Sequence, residues 1–193
     1  MIQFKKSFTD LLPYDRQQYI EFLFDEPDVS VKWYGISFQL DGRKINLPEF
    51  IKIYTRWLRK VIETFDRGSS WILNHDKTDF EWFPNNEDNL PSLRSLFKQR
   101  NISNKFKGAL IFGEDDLIEF SKDLISYPYG VFNENNLFYT NIDISHGELP
   151  FVIKILDHLN IDLLSTDEQL LKKIVRENQL DTLILKPYRG TSL

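Results

Sequence analysis

WILNHDKTDFEWF, residues 71–83, begins as an apolar run and ends as a mixture of carboxylates and aromatics. Trp71 to Asn74 is too short for a helix and rich in large side chains, so it reads as a strand. Upstream, Pro48 opens a segment in which Phe50, Ile51, Tyr54, Trp57, Leu58, Val61, Ile62 and Phe65 share one stripe at helical spacing. Lys52, Arg56, Arg59, Lys60 and Glu63 lie opposite, and Gly68 is the natural stop. A helix followed within a few residues by a strand sets the theme for the whole chain.

Working outward, the spacing predicts a short helix within Asp10–Phe24, ended by Asp25-Glu26-Pro27-Asp28, and a strand over 29–40. Asp41-Gly42 forms a turn, because both residues tolerate positive φ, and Arg43–Leu47 is the return strand. Asn89 caps a helix running to about Arg100, Phe106–Phe112 is a buried strand, and Asp115–Ile125 is a helix whose acidic start suits its dipole. A second hairpin turns at Asn133–Asn136, between Gly130–Phe132 and Leu137–Thr140. Leu149–Leu159 is read as helix and Ile161–Leu164 as strand. Thr166-Asp167-Glu168-Gln169 is a capping box for a further helix, and Thr182–Lys186 closes as a strand. The expectation is one α+β domain spanning 1–193, with a mixed or mainly antiparallel sheet, two hairpins and about five helices.

The chain has 193 residues, no cysteine and a net charge of −5. Without cysteine there are no disulfides, thiolate nucleophiles or cysteine-based metal sites. No run approaches the length of a membrane span and no leader is evident, so a soluble cytoplasmic protein is expected. The negative charge argues against nucleic acid as a general partner. Its distribution is uneven. Residues 71–90 set Lys77 against Asp76, Asp79, Glu81, Glu87 and Asp88. Residues 91–108 hold Arg94, Lys98, Arg100, Lys105 and Lys107 with no acid, and residues 109–150 set Lys122 against a run of acids.

Two chemistries compete for these residues. His75 and Asp76, joined by Asp143 and His146 from the stretch NIDISHGEL, have ligand types suited to zinc, manganese or iron in a metal-dependent hydrolase. No recognised ligand spacing is present, however, and no phosphate loop or nucleophile elbow appears. The alternative is a protein-binding face without any cofactor. Acids interleaved with Trp71, Phe80, Trp82, Phe83, Tyr127, Tyr129, Phe132 and Tyr139 have the composition of one, with aromatic anchors and charges that steer a basic partner. The residues implicated are Asp76, Asp79, Glu81, Trp82, Glu87 and Asp88, then Glu114, Asp115, Asp116 and Glu119. A regulatory or structural subunit of a larger assembly is a third reading.

In size, acidity, absence of cysteine, α+β pattern and a bias to Asn, Ile, Lys and Phe, the chain resembles the immunity proteins of bacterial toxin–immunity pairs, including those of contact-dependent growth inhibition. The resemblance implies binding to one cognate toxin, often a basic nuclease, with carboxylates standing in for nucleic-acid phosphates. It carries over no residue roles.

Overall fold

A computed structural model describes residues 2–24, 31–40, 46–76, 80–85, 87–132 and 140–192. The strands are β1 (Gln3–Lys5), β2 (Tyr34–Leu40), β3 (Ser70–His75), β4 (Ala109–Gly113), β5 (Ile142–His146), β6 (Phe151–Ile155), β7 (Asn160–Ser165) and β8 (Leu183–Pro187). They form one sheet in the order β1-β4-β3-β5-β6-β7-β2-β8, with every neighbouring pair antiparallel. The helices are α1 (Arg16–Leu23), α2 (Leu47–Ile62), α3 (Pro91–Gln99), α4 (Glu114–Gly130) and α5 (Glu168–Asn178), with a 3-10 turn at Thr9–Leu11. The fold is α+β, as expected. No helix among the described residues is long and apolar enough to cross a membrane.

α2, α3, α4 and α5 pack on one face of the sheet. Trp57 and Leu58 from α2, Leu93 and Phe97 from α3, Leu124 from α4 and Ile174 from α5 meet Phe38, Leu73, Ile144, Ile153 and Leu163 from the strands in one continuous core. The other face is covered by the segment around α1. Phe8 and Leu12 close over Ile72 and Ala109, while Tyr19 and Trp33 close over Val152 and Leu164. Central strands are therefore buried on both faces. β6 (FVIKI) is buried at every position, and a strand shielded on both sides loses its alternation of polar and apolar residues.

That shielding explains the largest departure from expectation. Residues 149–159 are not a helix: they comprise β6, a turn and the approach to β7. His158, expected near a helix end, is exposed in that turn beside Asp157. The stretch NIDISHGEL, to which the sequence reading assigned no strand, contains the fully buried strand β5. The Asp10–Phe24 segment divides into the 3-10 turn and α1, because Asp15 accepts from the backbone N–H groups of Gln17 and Gln18 and starts a new helix there. Asn89 does not cap α3. The N-cap is Leu90, at φ 54°, and the buried Asp123 carboxylate of α4 accepts from Leu93 N–H at 2.9 Å. Leu47 opens α2 rather than ending a strand. The turn at Asp41-Gly42, residues 43–45 of its return strand and the turn at Asn133–Asn136 lie outside the described residues. The short β5–β6 and β6–β7 connections supply hairpins that were not expected.

Edge strand β1 depends on one glycine. Gly108 has φ +131°, and a Cβ there would strike the Lys5 carbonyl oxygen, with Lys6 Cα at 2.9 Å. Gly108→Ala is expected to cost more than about 1 kcal/mol and to release β1, seen as lost hydrogen-exchange protection at Lys5. An alanine variant with unchanged protection and denaturation midpoint would refute this.

Candidate functional site

The acidic residues expected to form one face fall into three places. Asp76, just after β3, is committed internally. Its carboxylate accepts from Thr140 Oγ1 at 2.9 Å and Asn141 Nδ2 at 3.0 Å, and it lies 3.6 Å from Lys154 Nζ. Asp79 lies outside the described residues, and Glu81 is half-buried. Trp82 is wholly buried, so it is not an exposed anchor. Its indole N–H donates to the Gly108 carbonyl at 3.0 Å, and its own carbonyl accepts from Tyr127 Oη at 2.5 Å. Trp71, Phe83, Tyr127 and Tyr129 are likewise buried, and Phe80 and Phe132 partly so. Tyr139 is outside the described residues. Most of these aromatics belong to the core and not to an exposed face.

Glu87 and Asp88 are exposed in the loop before α3, which Asn89 ties to the Gly130 carbonyl at the end of α4. Glu114, Asp115 and Asp116 form the first turn of α4. The length of α4, roughly 25 Å at 1.5 Å per residue, separates the two groups. At the α4 start the acids line a cleft of about 750 Å³ with Glu63, Phe65, Arg67 and Ile118. Asp116 accepts from Gly113 N–H at 3.2 Å and so also closes the turn. Asp115 and Glu119 are exposed one helical turn apart, a like-charge spacing that disfavours the helix. Asp66 and Glu148 join the same end, since both act electrostatically on His146. Glu148 is exposed beside Leu149, one of the few large apolar side chains in contact with solvent. Neither Asp66 nor Glu148 is among the residues the sequence singles out for this face. No local signal marks either as part of this surface, because three separate loops bring it together.

Of the residues of the metal reading, Asp76 and Asp143 meet, but around the ammonium of Lys154, and the two histidines are held apart. His75 pairs with Ile142 and His146 with Trp71, at opposite ends of the β3–β5 ladder, roughly 13 Å apart at the strand rise. His75 Nε2 lies 2.8 Å from Tyr127 Oη, and its ring packs on Trp82. Burial pushes its pKa down to about 4, against smaller upward pulls from Asp76 and the Phe80 backbone. His146 Nδ1 accepts from the backbone N–H groups of Glu148 and Leu149, both at 3.1 Å, and its ring sits beside Phe65 and Trp71. Burial also lowers its pKa, opposed by Glu148 and Asp66. Both imidazoles are occupied as neutral structural groups. Among the described residues no group of three or more His, Asp or Glu is placed to hold a metal ion.

Asp143 faces the other side of the sheet, in an arrangement the sequence did not disclose. Asn74, Asp143, Lys154, Asp162, Ser37 and Lys186 stand directly opposite one another on six successive strands. Lys154 Nζ donates to Asp143 Oδ1 at 3.0 Å. Burial would lower its pKa, but Asp143 and Asp76 outweigh that and hold it above the usual lysine value. Burial raises the pKa of Asp162, although its carboxylate accepts from Tyr188 Oη at 2.5 Å and Asn160 Nδ2 at 2.9 Å. Arg16 Nη2 donates to the carbonyls of His75 and Asp76. Arg16 Nη1 and Asn74 Oδ1 are buried without a hydrogen-bond partner, and the buried Tyr19 hydroxyl stands against the Asp143 carboxylate. The α1 segment closes this row, which registers six strands and fixes the covering segment to them.

The geometry thus describes an α+β protein with a buried ionic row and an open acidic end. No protein-family model matches the chain, nor does any curated protein or solved structure.

Proposed function

We propose that the protein is a binding module that captures a basic protein partner in the cytoplasm, in the manner of an immunity protein neutralising a toxin. The observation that carries this reading is the acidic end. Glu63, Glu114, Asp115 and Asp116 line an open cleft with one cation, Arg67, and half-buried Phe65 and Ile118, and Asp66 and Glu148 add charge nearby around His146. Carboxylates of this density attract a cationic surface and raise its association rate, and the apolar groups give it something to bury. The Glu87–Asp88 loop is a lesser contributor, since it lies at the far end of α4 and its aromatic neighbours are internal. The hydrolase reading draws no support from the positions of His75, Asp76, Asp143 and His146.

The test is a tagged capture from native cells at low and high salt. A basic polypeptide retained at low salt and released at high salt is expected. Glu114→Lys/Asp115→Lys should weaken its binding at least about tenfold, and Glu87→Lys/Asp88→Lys should leave it nearly unchanged. Circular dichroism confirms the fold, because lysines at a helix start cost only about 0.3–1 kcal/mol each. Loss in the loop variant alone would move the site to the loop, and retention by both variants would sink the acidic-module reading.

A further inference from the structure

The outer surface of the α2–α4 pair changes sign along its length. The two helices run antiparallel, since the end of α2 at Glu63 lines a cleft with the α4 start, while Leu47 at the α2 start lines a second with Ser126 and Gly130. Between these ends lies a groove of about 640 Å³ whose floor is Pro48, Ile51 and Thr55, bordered by Lys52, Arg56 and Arg59 on α2 and Lys122 on α4. All four cations are exposed, and no ion pair joins any of them to an acid among the described residues. Arg59 Nε donates to Ser121 Oγ at 3.3 Å, which holds that side chain across the seam. The Thr55 hydroxyl in the floor has no partner.

This placement works against α2 taken alone. Lys52 and Arg56, and again Arg56 and Lys60, stand four residues apart, where like charges repel and weaken a helix. Lys52, Arg56 and Arg59 of α2 gather with Lys122 of α4 round an apolar strip that α2 leaves open, and Lys60 lies outside it. Such a row suits an anionic partner with an apolar stripe of its own.

We infer that the α2–α4 groove receives an acidic amphipathic helix from a partner protein. The charges decide between a helix and a small anionic amphiphile. Lys52, Arg56 and Arg59 are spread over about 10 Å of helix axis, with Lys122 facing them, so a single carboxylate or phosphate headgroup neutralises only part of the row. A helix with acids three and four residues apart matches the same period and lays leucine-sized side chains on Pro48 and Ile51. The inference does not depend on the acidic end, which uses different side chains and the opposite charge.

The test uses the full chain and three probes. These are a fluorescent synthetic helix of glutamates and leucines at 3–4 spacing, its lysine-for-glutamate counterpart, and dodecanoate. The acidic peptide is expected to bind at low salt and weaken with salt, while the basic peptide does not bind through this groove. Arg56→Glu/Lys122→Glu should weaken the acidic peptide at least about tenfold, or about 1.4 kcal/mol, and leave binding at the acidic end unchanged. Equal affinity in that variant, or no binding of the acidic peptide, overturns the inference. So does dodecanoate displacing the peptide from the wild-type chain, which assigns the groove to a small amphiphile. A concentration-dependent dimer of the free chain, lost in Arg56→Glu/Lys122→Glu, overturns it in favour of a second copy.

Discussion

Replacing Lys154 with alanine is expected to lower the unfolding free energy by about 3–5 kcal/mol, a large part of the total for most domains of this size. Lys154 is only 5% exposed, and its ammonium lies within 3.0 Å of Asp143 and 3.6 Å of Asp76. Removing it strands Asp143, which is fully buried and has no other cation beside it among the ion pairs of the described residues. The loss therefore comes mainly from an uncompensated buried charge, not from a missing attraction. The control is Lys154→Met/Asp143→Leu, which removes both charges at similar volume. It should recover most of the stability, because an apolar pair needs no desolvation of ions. Urea denaturation of the two variants measures both values. A single variant within about 1 kcal/mol of wild type, where typical point changes lie, would mean that water reaches the row and the ion pair matters little.

Acid provides the second large effect. With a pKa of about 4 in the fold against 6.5 ordinarily, the His75 imidazole takes up a proton more readily in the unfolded chain. Between pH 6.5 and 4 the unfolded state therefore binds more protons, so stability falls as pH falls across that window and is fully present above it. The whole loss is about 3 kcal/mol. His146 shifts the same way. Asp162, held above its ordinary 3.8 by burial, has the opposite slope in a window that opens at 3.8 and extends upward, so the difference between wild type and a His75 variant isolates the histidine effect. His75→Phe should flatten most of the slope while keeping the Tyr127 hydroxyl on the Trp82 carbonyl. A wild-type midpoint that is level from pH 7 to 4.5 would show that the ring is hydrated.

The two results draw on residues that the sequence revealed unequally. α2 was plain because one side of it meets solvent: Trp57 and Leu58 face in, and Lys52 and Arg56 face out. β3 was plain because it is short and follows a helix. β5 and β6 were not, because the second layer around α1 removes the polar side that makes a strand visible. The helical spacing of Phe151, Val152, Ile155, Leu156 and Leu159 is incidental to that. A trace of the ionic row does exist in the sequence, as single polar residues at Asp143, Lys154 and Asp162 inside apolar runs. Only the register of the strands shows that they are one feature. The acidic blocks were visible as composition, but which of their members reach solvent was not. Trp82 is buried and Asp76 is engaged internally, whereas Asp66 and Glu148 join the surface through tertiary contacts alone.

The position of β2 has a consequence for synthesis on the ribosome. Its two neighbours in the sheet are β7 and β8, made from residues 160–165 and 183–187. The apolar segment YGISFQL therefore emerges with no strand to pair with until residue 160 has been added, an interval on the order of ten seconds at about 5–20 residues per second. Throughout that interval Ile36 and Phe38, wholly enclosed in the finished protein, remain open to other nascent chains. The nascent protein thus has a long window in which chaperone capture of residues 34–40 competes with aggregation, and the window closes only when residues from 160 onward are made.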